Sequence, residues 1–333
     1  MNRKQLILLL FLLVAIPALA QQDIQFSQYV FNGLSVNPAY AGYKGELYGN
    51  STYRQQWNGI QGAPQTAFVT LDGLARKRDE NIGIGGQLTW DRLGPQESIA
   101  LKGAYTYRIP MNYAGTRRLC LGIGVSVTQY SLDGSALVYI DPNDPTMPSV
   151  KVSTIVPDAD FGIYYYTPNF YAGVSALDLF SLNQQRDIYY SSGNSYSTLR
   201  KSPHLYLTMG TMVNLSDNVK LKPSFMIKED FKSPTSIDLN LLWLLAEKIW
   251  VGGSYRFGVS GPAKSGYQPD LQSTAAASAM VEIFATSNMR IGYAYDFTTS
   301  QMASYQNGTH ELSIGILFPS KTKRETLVSP RYF

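Results

Sequence analysis

The sequence predicts an all-β fold: a transmembrane outer-membrane antiparallel β-barrel of about 14 strands, preceded by a cleaved signal peptide. Three observations lead there. Apolar and polar residues alternate with period two in run after run, while helical spacing is absent behind the leader. Charged residues inside those runs avoid the apolar parity, as a hydrocarbon-facing surface demands. Many runs also reach the roughly 9–11 residues of a tilted membrane strand, longer than the roughly 5–6 usual in globular sheets.

The leader comes first. Asn2, Arg3 and Lys4 give a polar, basic start, Leu6 to Ile16 an unbroken apolar stretch, and Ala18-Leu19-Ala20 a small-x-small cleavage site. The apolar stretch is shorter than the roughly 20 residues of a bilayer span, and Pro17 closes it. Residues 1–20 are thus expected to be a signal peptide, with Gln21 as the mature N-terminus. The lone cysteine, Cys120, permits no intramolecular disulfide and offers no lipid-anchor position after the cleavage site.

Residues 46–318 are expected to form the barrel. Leu119, Leu121, Ile123, Val125 and Val127 alternate with Cys120, Gly122, Gly124, Ser126 and Thr128, and the same pattern recurs over 289–298 and 311–318. Lys102 and Arg108 share a parity with Ala104, Lys222 and Lys228 with Ser224, Arg256 with Ser254, Asp238 with Asn240, and Glu282 with Ser278. A charge on the lipid side would cost roughly 2–4 kcal/mol at the bilayer midplane, so this segregation is enforced in a membrane.

The runs fall at 46–57, 65–75, 81–91, 97–108, 117–131, 158–166, 169–177, 201–214, 218–229, 234–245, 248–258, 272–285, 288–298 and 308–318. Fourteen is even, as single-chain bacterial barrels require. Connections at 76–80, 167–168, 215–217, 246–247 and 286–287 are short and share one side, whereas the long ones, 132–157 and 178–200, lie on the other. Short turns are periplasmic in such barrels, which puts both chain ends in the periplasm. Tyr105, Tyr107, Tyr164 to Tyr166, Trp250, Tyr255 and Phe257 lie near strand ends, where an aromatic girdle is expected.

Composition excludes several classes of function. Without Arg3 and Lys4 the 28 basic residues become 26 against 24 acidic ones, a formal charge of +2 that leaves no nucleic-acid footprint. His204 and His310 are the only imidazoles, and neither sits in a nucleophile motif. The turn Asp141-Pro-Asn143-Asp144-Pro-Thr146 carries the wrong residues for a calcium loop. Gly83-Ile-Gly85-Gly86 and Gly122-Ile-Gly124 lie inside strand patterns and read as small positions for close packing or bending. No enzyme, metal or cofactor is expected.

The segment before the first strand, residues 21–45, is too aromatic to stay solvated. It contains Phe26, Tyr29, Phe31 and Tyr40 and should be periplasmic or folded back into the lumen. Gln25-Phe26-Ser27-Gln28-Tyr29, Asn37-Pro38-Ala39-Tyr40-Ala41-Gly42, Tyr53-Arg54-Gln55-Gln56-Trp57, Gly62-Ala63-Pro64-Gln65-Thr66 and Asp91-Arg92-Leu93-Gly94-Pro95 together resemble the start of the PorP/SprF family. The likeness is dense over 23–95 and recurs at Ser329 to Phe333. Gly33 departs from it, standing where a proline is expected.

The resemblance implies a non-enzymatic outer-membrane barrel of the type IX secretion and gliding machinery of Bacteroidetes. It would either dock on the periplasmic ring subunits or assist export of a large adhesin-type cargo bearing a C-terminal sorting domain. Its other partner is the lipid bilayer; the alternative is a passive porin-like channel for small solutes. Residues expected to plug the lumen or bind a partner are Gln25, Phe26, Ser27, Gln28, Tyr29, Asn37, Pro38, Tyr40, Arg54, Gln56 and Trp57. Arg54, Gln56 and Trp57 would join a lumenal network near the first loop, or Trp57 would be an interface anchor. The basic tail 319–333 is expected to be periplasmic.

Overall fold

A computed structural model describes residues 26–75, 80–137, 150–183, 189–191, 194–196, 202–231, 233–259, 276–299 and 301–319. The leader, Gln25, the 141–146 turn and the tail beyond 319 lie outside the described residues.

Antiparallel strands follow one another around a closed wall. They are β1 Leu47–Gln55, β2 Gln65–Leu74, β3 Ile82–Leu93, β4 Gln96–Pro110, β5 Arg118–Asp133, β6 Lys151–Tyr166 and β7 Phe170–Leu177. The circuit continues with β8 His204–Thr211 and its extension Val213–Ser216, β9 Val219–Glu229, β10 Thr235–Leu245, β11 Ile249–Val259, β12 Ala276–Phe284, β13 Met289–Thr298 and β14 Thr309–Phe318. Each pairs with its neighbours in sequence, and β1 pairs with β14, so fourteen staves close into a ring.

Period-two alternation dictates the two faces. Outward residues such as Leu88, Leu101, Ile123, Val125, Val174, Leu239, Ile314 and Ile316 are exposed, and together they form the hydrocarbon-facing belt. Inward residues are buried although many are charged or polar: Arg54, Asp72, Arg108, Asp160, Lys222, Asp238, Arg256, Glu282, Arg290, Asp296 and Glu311. Burial of so many charges requires partners, and the inner wall is laced with ion pairs.

The aromatic girdle divides by parity. Tyr105, Tyr107 and Tyr255 do face outward, but Tyr164, Tyr166 and Trp250 point into the lumen and are buried there. Two strand boundaries also move. The sixth run begins at Lys151 rather than 158, because Pro157 does not end the strand. Among the described residues, β6 before Phe161 pairs only with β5, so this proline sits in an edge stretch where a proline is tolerated. The run expected at 201–214 breaks at Met212, just past Thr211, which lies level with Pro223 of β9, a residue with no N–H to give to the ladder. The short turns 111–117, 167–169, 217–218, 246–248 and 285–288 lie at one end together with Leu47 and Phe318, and the long connections lie at the other.

Candidate functional site inside the barrel

Phe26 to Lys44 run through the barrel interior as three short 3-10 turns, Ser27–Phe31, Gly33–Ser35 and Pro38–Tyr40. Almost every residue in this stretch is buried. The segment starts in the long-loop half and descends to the short-turn end, where β1 begins.

At the upper end Glu311 grips the main chain. Its two carboxylate oxygens accept the backbone N–H groups of Ser27, at 2.9 Å, and Gln28, at 2.8 Å. Arg54 bridges Glu311 at 2.7 Å and Asp296 at 2.6 Å. Ser27 Oγ donates to Asp296 at 2.6 Å, as does Ser278 Oγ from β12. Ser313 Oγ donates to the Gln28 side-chain carbonyl at 2.7 Å, while the Gln28 amide donates to the Glu311 carbonyl at 3.2 Å. Strands β1, β12, β13 and β14 thus converge on two residues. Charge-assisted bonds of this kind are roughly twice as strong as neutral ones.

Midway down, Tyr29 Oη accepts from the Asn240 amide at 2.6 Å, and Lys222 Nζ donates to the Val30 carbonyl at 3.1 Å. The Lys222 ammonium also lies 5.6 Å from the Phe31 ring and 5.7 Å from Trp250, within cation–π range. Phe26 meets Phe68 edge-on at 4.4 Å. Asn32 donates to Asn50 and Thr70 on the facing strands β1 and β2.

At the lower end shape dominates. Asn37 caps the third turn by accepting from Ala39 N at 2.8 Å, and its amide donates to the Ile163 carbonyl at 3.0 Å. Thr106 and Ser175 donate to the Pro38 and Val36 carbonyls. Tyr40 stacks on Tyr43 at 5.0 Å, and Tyr43 meets Tyr166 edge-on at 4.7 Å. Gly42 N donates to Asp72 at 2.8 Å. The strand glycines make room for this chain: a Cβ on Gly122 would lie 2.3 Å from Ala39 N, and one on Gly83 2.0 Å from the Ala41 carbonyl. Gly33 has a similar reason, since a Cβ there would enter the Tyr40 ring at 2.5 Å.

Burial lifts the hydroxyls of Tyr29, Tyr40 and Tyr43 well above the usual phenol range. The same desolvation, reinforced by the nearby Arg290 cation, pushes the Lys44 ammonium well below the lysine range. All four residues are buried.

The structure brings Phe26, Ser27, Gln28, Tyr29, Asn37, Pro38, Tyr40 and Arg54 into one buried assembly. Gln56 and Trp57 are not in it. β1 ends at Gln55, Gln56 N bonds Pro64 O across the β1–β2 loop, and Trp57 is a partly exposed loop residue with φ 47° whose N–H donates to Thr309 Oγ1. Sequence reasoning missed Asp72, Lys222, Asp296 and Glu311 as the segment's partners, although inward parity marked the last three as lumenal. The two histidines stay apart. His204 is buried inside on β8, 3.6 Å from Asp178, and His310 meets Tyr293 from β14.

The sequence profile of type IX secretion system membrane proteins PorP/SprF matches residues 18–316. No curated protein matches the chain. Among solved structures, the CymD monoaromatic hydrocarbon channel is 10% identical, with a TM-score of 0.52, covering 87% of this chain and 93% of that one. The toluene transporter TbuX of Ralstonia pickettii is likewise 10% identical, with a TM-score of 0.50 over 86% of this chain and 93% of its own. At that identity they speak for the barrel fold alone. With the family profile spanning nearly the whole chain, this outer-membrane barrel belongs to the PorP/SprF family of type IX secretion system membrane proteins.

Proposed function

We propose that this protein is a closed, non-enzymatic adaptor barrel of the type IX machinery. It assists export or surface attachment of a partner cargo by docking, without conducting solutes. The observation that carries this reading is the buried course of residues 26–44, bonded to eight or more different staves through a lumen that a passive pore would keep wet. The segment is the plug, and Ser27, Gln28, Tyr29, Asn37, Pro38, Tyr40 and Arg54 hold it in place.

With short turns in the periplasm, the β4–β5 turn faces the ring subunits and offers exposed Met111 and Tyr113 as contacts. Periplasmic ring subunits and an adhesin-type cargo with a C-terminal sorting domain are the partners this reading names. The test is copurification from detergent-solubilised outer membranes, with the associated proteins identified. Recovery of ring subunits or of one large secreted protein, lost on replacing Met111 and Tyr113 by Ser, supports docking. A barrel that copurifies with neither and conducts ions steadily is instead the passive channel.

A further inference from the structure

The hydrocarbon-facing wall has a furrow. Across β8 to β11 the strand register sets outward residues in rows. One row is low: Thr211, Pro223 and Gly253, with Leu241 between the last two. Thr211 falls level with Pro223, between the pairs Gly210–Ser224 and Val213–Leu221. Phe225 and Tyr255 rise on one side of this row and Trp243 on the other. The result is a cavity of about 730 Å3. Its floor is set by the backbone, since a Cβ on Gly253 pointing as usual would lie 2.4 Å from the Ser278 carbonyl.

The geometry points to a binding site for a phospholipid acyl chain in this furrow. Leu239, Leu241 and Tyr255 are exposed members of the outward belt, so the furrow opens directly onto the hydrocarbon that surrounds the barrel. Its outer walls are mainly apolar above a deeper row of Ser224, Asn240, Ser254 and Ser278, and the Thr211 hydroxyl already donates to the Asn169 carbonyl at 2.8 Å. The residues that rim the furrow at the hydrocarbon boundary, Phe225, Leu239, Leu241, Trp243 and Tyr255, are apolar or aromatic, which selects a hydrocarbon chain over a polar molecule. The volume lies in the roughly 300–1,000 Å3 range of small-molecule sites. The furrow crosses the place where β8 breaks opposite Pro223, where unpaired backbone groups are costly in lipid, and a chain lodged there excludes water from the break.

Native mass spectrometry of the purified barrel, loaded with palmitoyl-oleoyl phosphatidylethanolamine and then exchanged into delipidating detergent, tests the site. The wild type retains a phospholipid. Thr211→Phe and Leu241→Phe fill the furrow and lower the retained fraction by about tenfold, which corresponds to about 1.4 kcal/mol of affinity. Leu101→Phe, an equal enlargement on the β4 wall, leaves retention unchanged. Equal retention in all of these variants, or none in the wild type, overturns the proposal. So does loss of a copurifying membrane protein from the furrow variants with lipid retention intact, which makes the furrow a protein interface.

Discussion

In the long-loop half of the lumen, Ser27 and Gln28 are held by charge: Glu311, Asp296 and Arg54 supply short ionic bonds, and the surrounding wall is polar. Toward the short-turn end, Pro38 to Tyr43 are held by shape, with glycines cut to the width of the backbone and tyrosines stacked around it. The same nineteen-residue stretch, 26–44, therefore has a latch at one end and a seat at the other. A latch made of ions is directional and can be released by removing one partner. A seat made of steric fit fails when any atom is added.

Removing one ion should have the largest effect. Glu311→Ala strips the carboxylate acceptors from the backbone N–H groups of Ser27 and Gln28 and leaves buried Arg54 with Asp296 as its remaining ionic partner. It should cost about 3 kcal/mol, as breaking a buried ion pair does. Urea unfolding followed by heat-modifiable gel mobility measures this, and hydrogen exchange should show Ser27 and Gln28 losing protection while Tyr40 to Tyr43 keep theirs.

Gly122→Val attacks the seat and should cost about 1–3 kcal/mol through overpacking against Ala39. Its exchange signature should be the reverse, with protection lost at Ala39 to Gly42. If both variants release the whole segment together, latch and seat are one cooperative unit and the distinction between them falls.

Smaller changes sharpen the contrast. Tyr43→Leu keeps apolar bulk but removes the ring contacts with Tyr40 and Tyr166, and should cost about 1 kcal/mol in the same unfolding assay. Ser27→Ala removes one hydroxyl from Asp296, which keeps its bonds from Ser278 and Arg54, so about 0.5 kcal/mol is expected. A Ser27→Ala loss as large as that of Glu311→Ala would mean that the hydroxyl, rather than the carboxylate, holds the latch.

The staves were readable because period two is imposed on every residue of a wall with hydrocarbon outside and packed chain inside. Leu121, Ile123 and Val125 could face only one way. Boundaries failed where a local breaker was overruled by position, as at Pro157 in the two-stranded extension of β6. Girdle assignment failed where strand ends were read without parity, as at Trp250, which supports Phe31 from inside.

For the site, the aromatic content of residues 26–43 showed that the stretch needed cover, but its partners lie up to 285 residues away in sequence. Parity placed Asp296 and Glu311 in the lumen without saying what they hold. The glycines of β3 and β5 read as close-packing positions, and for Gly83, Gly85 and Gly122 the neighbour accommodated is the segment itself.

The central claim is that residues 26–44 close this barrel, and single-channel recording of the intact chain in planar bilayers tests it most directly. The account predicts a silent membrane, with steady openings appearing only when Glu311→Ala weakens the latch. A steady ohmic conductance from the wild-type protein, unchanged in Glu311→Ala, would contradict it.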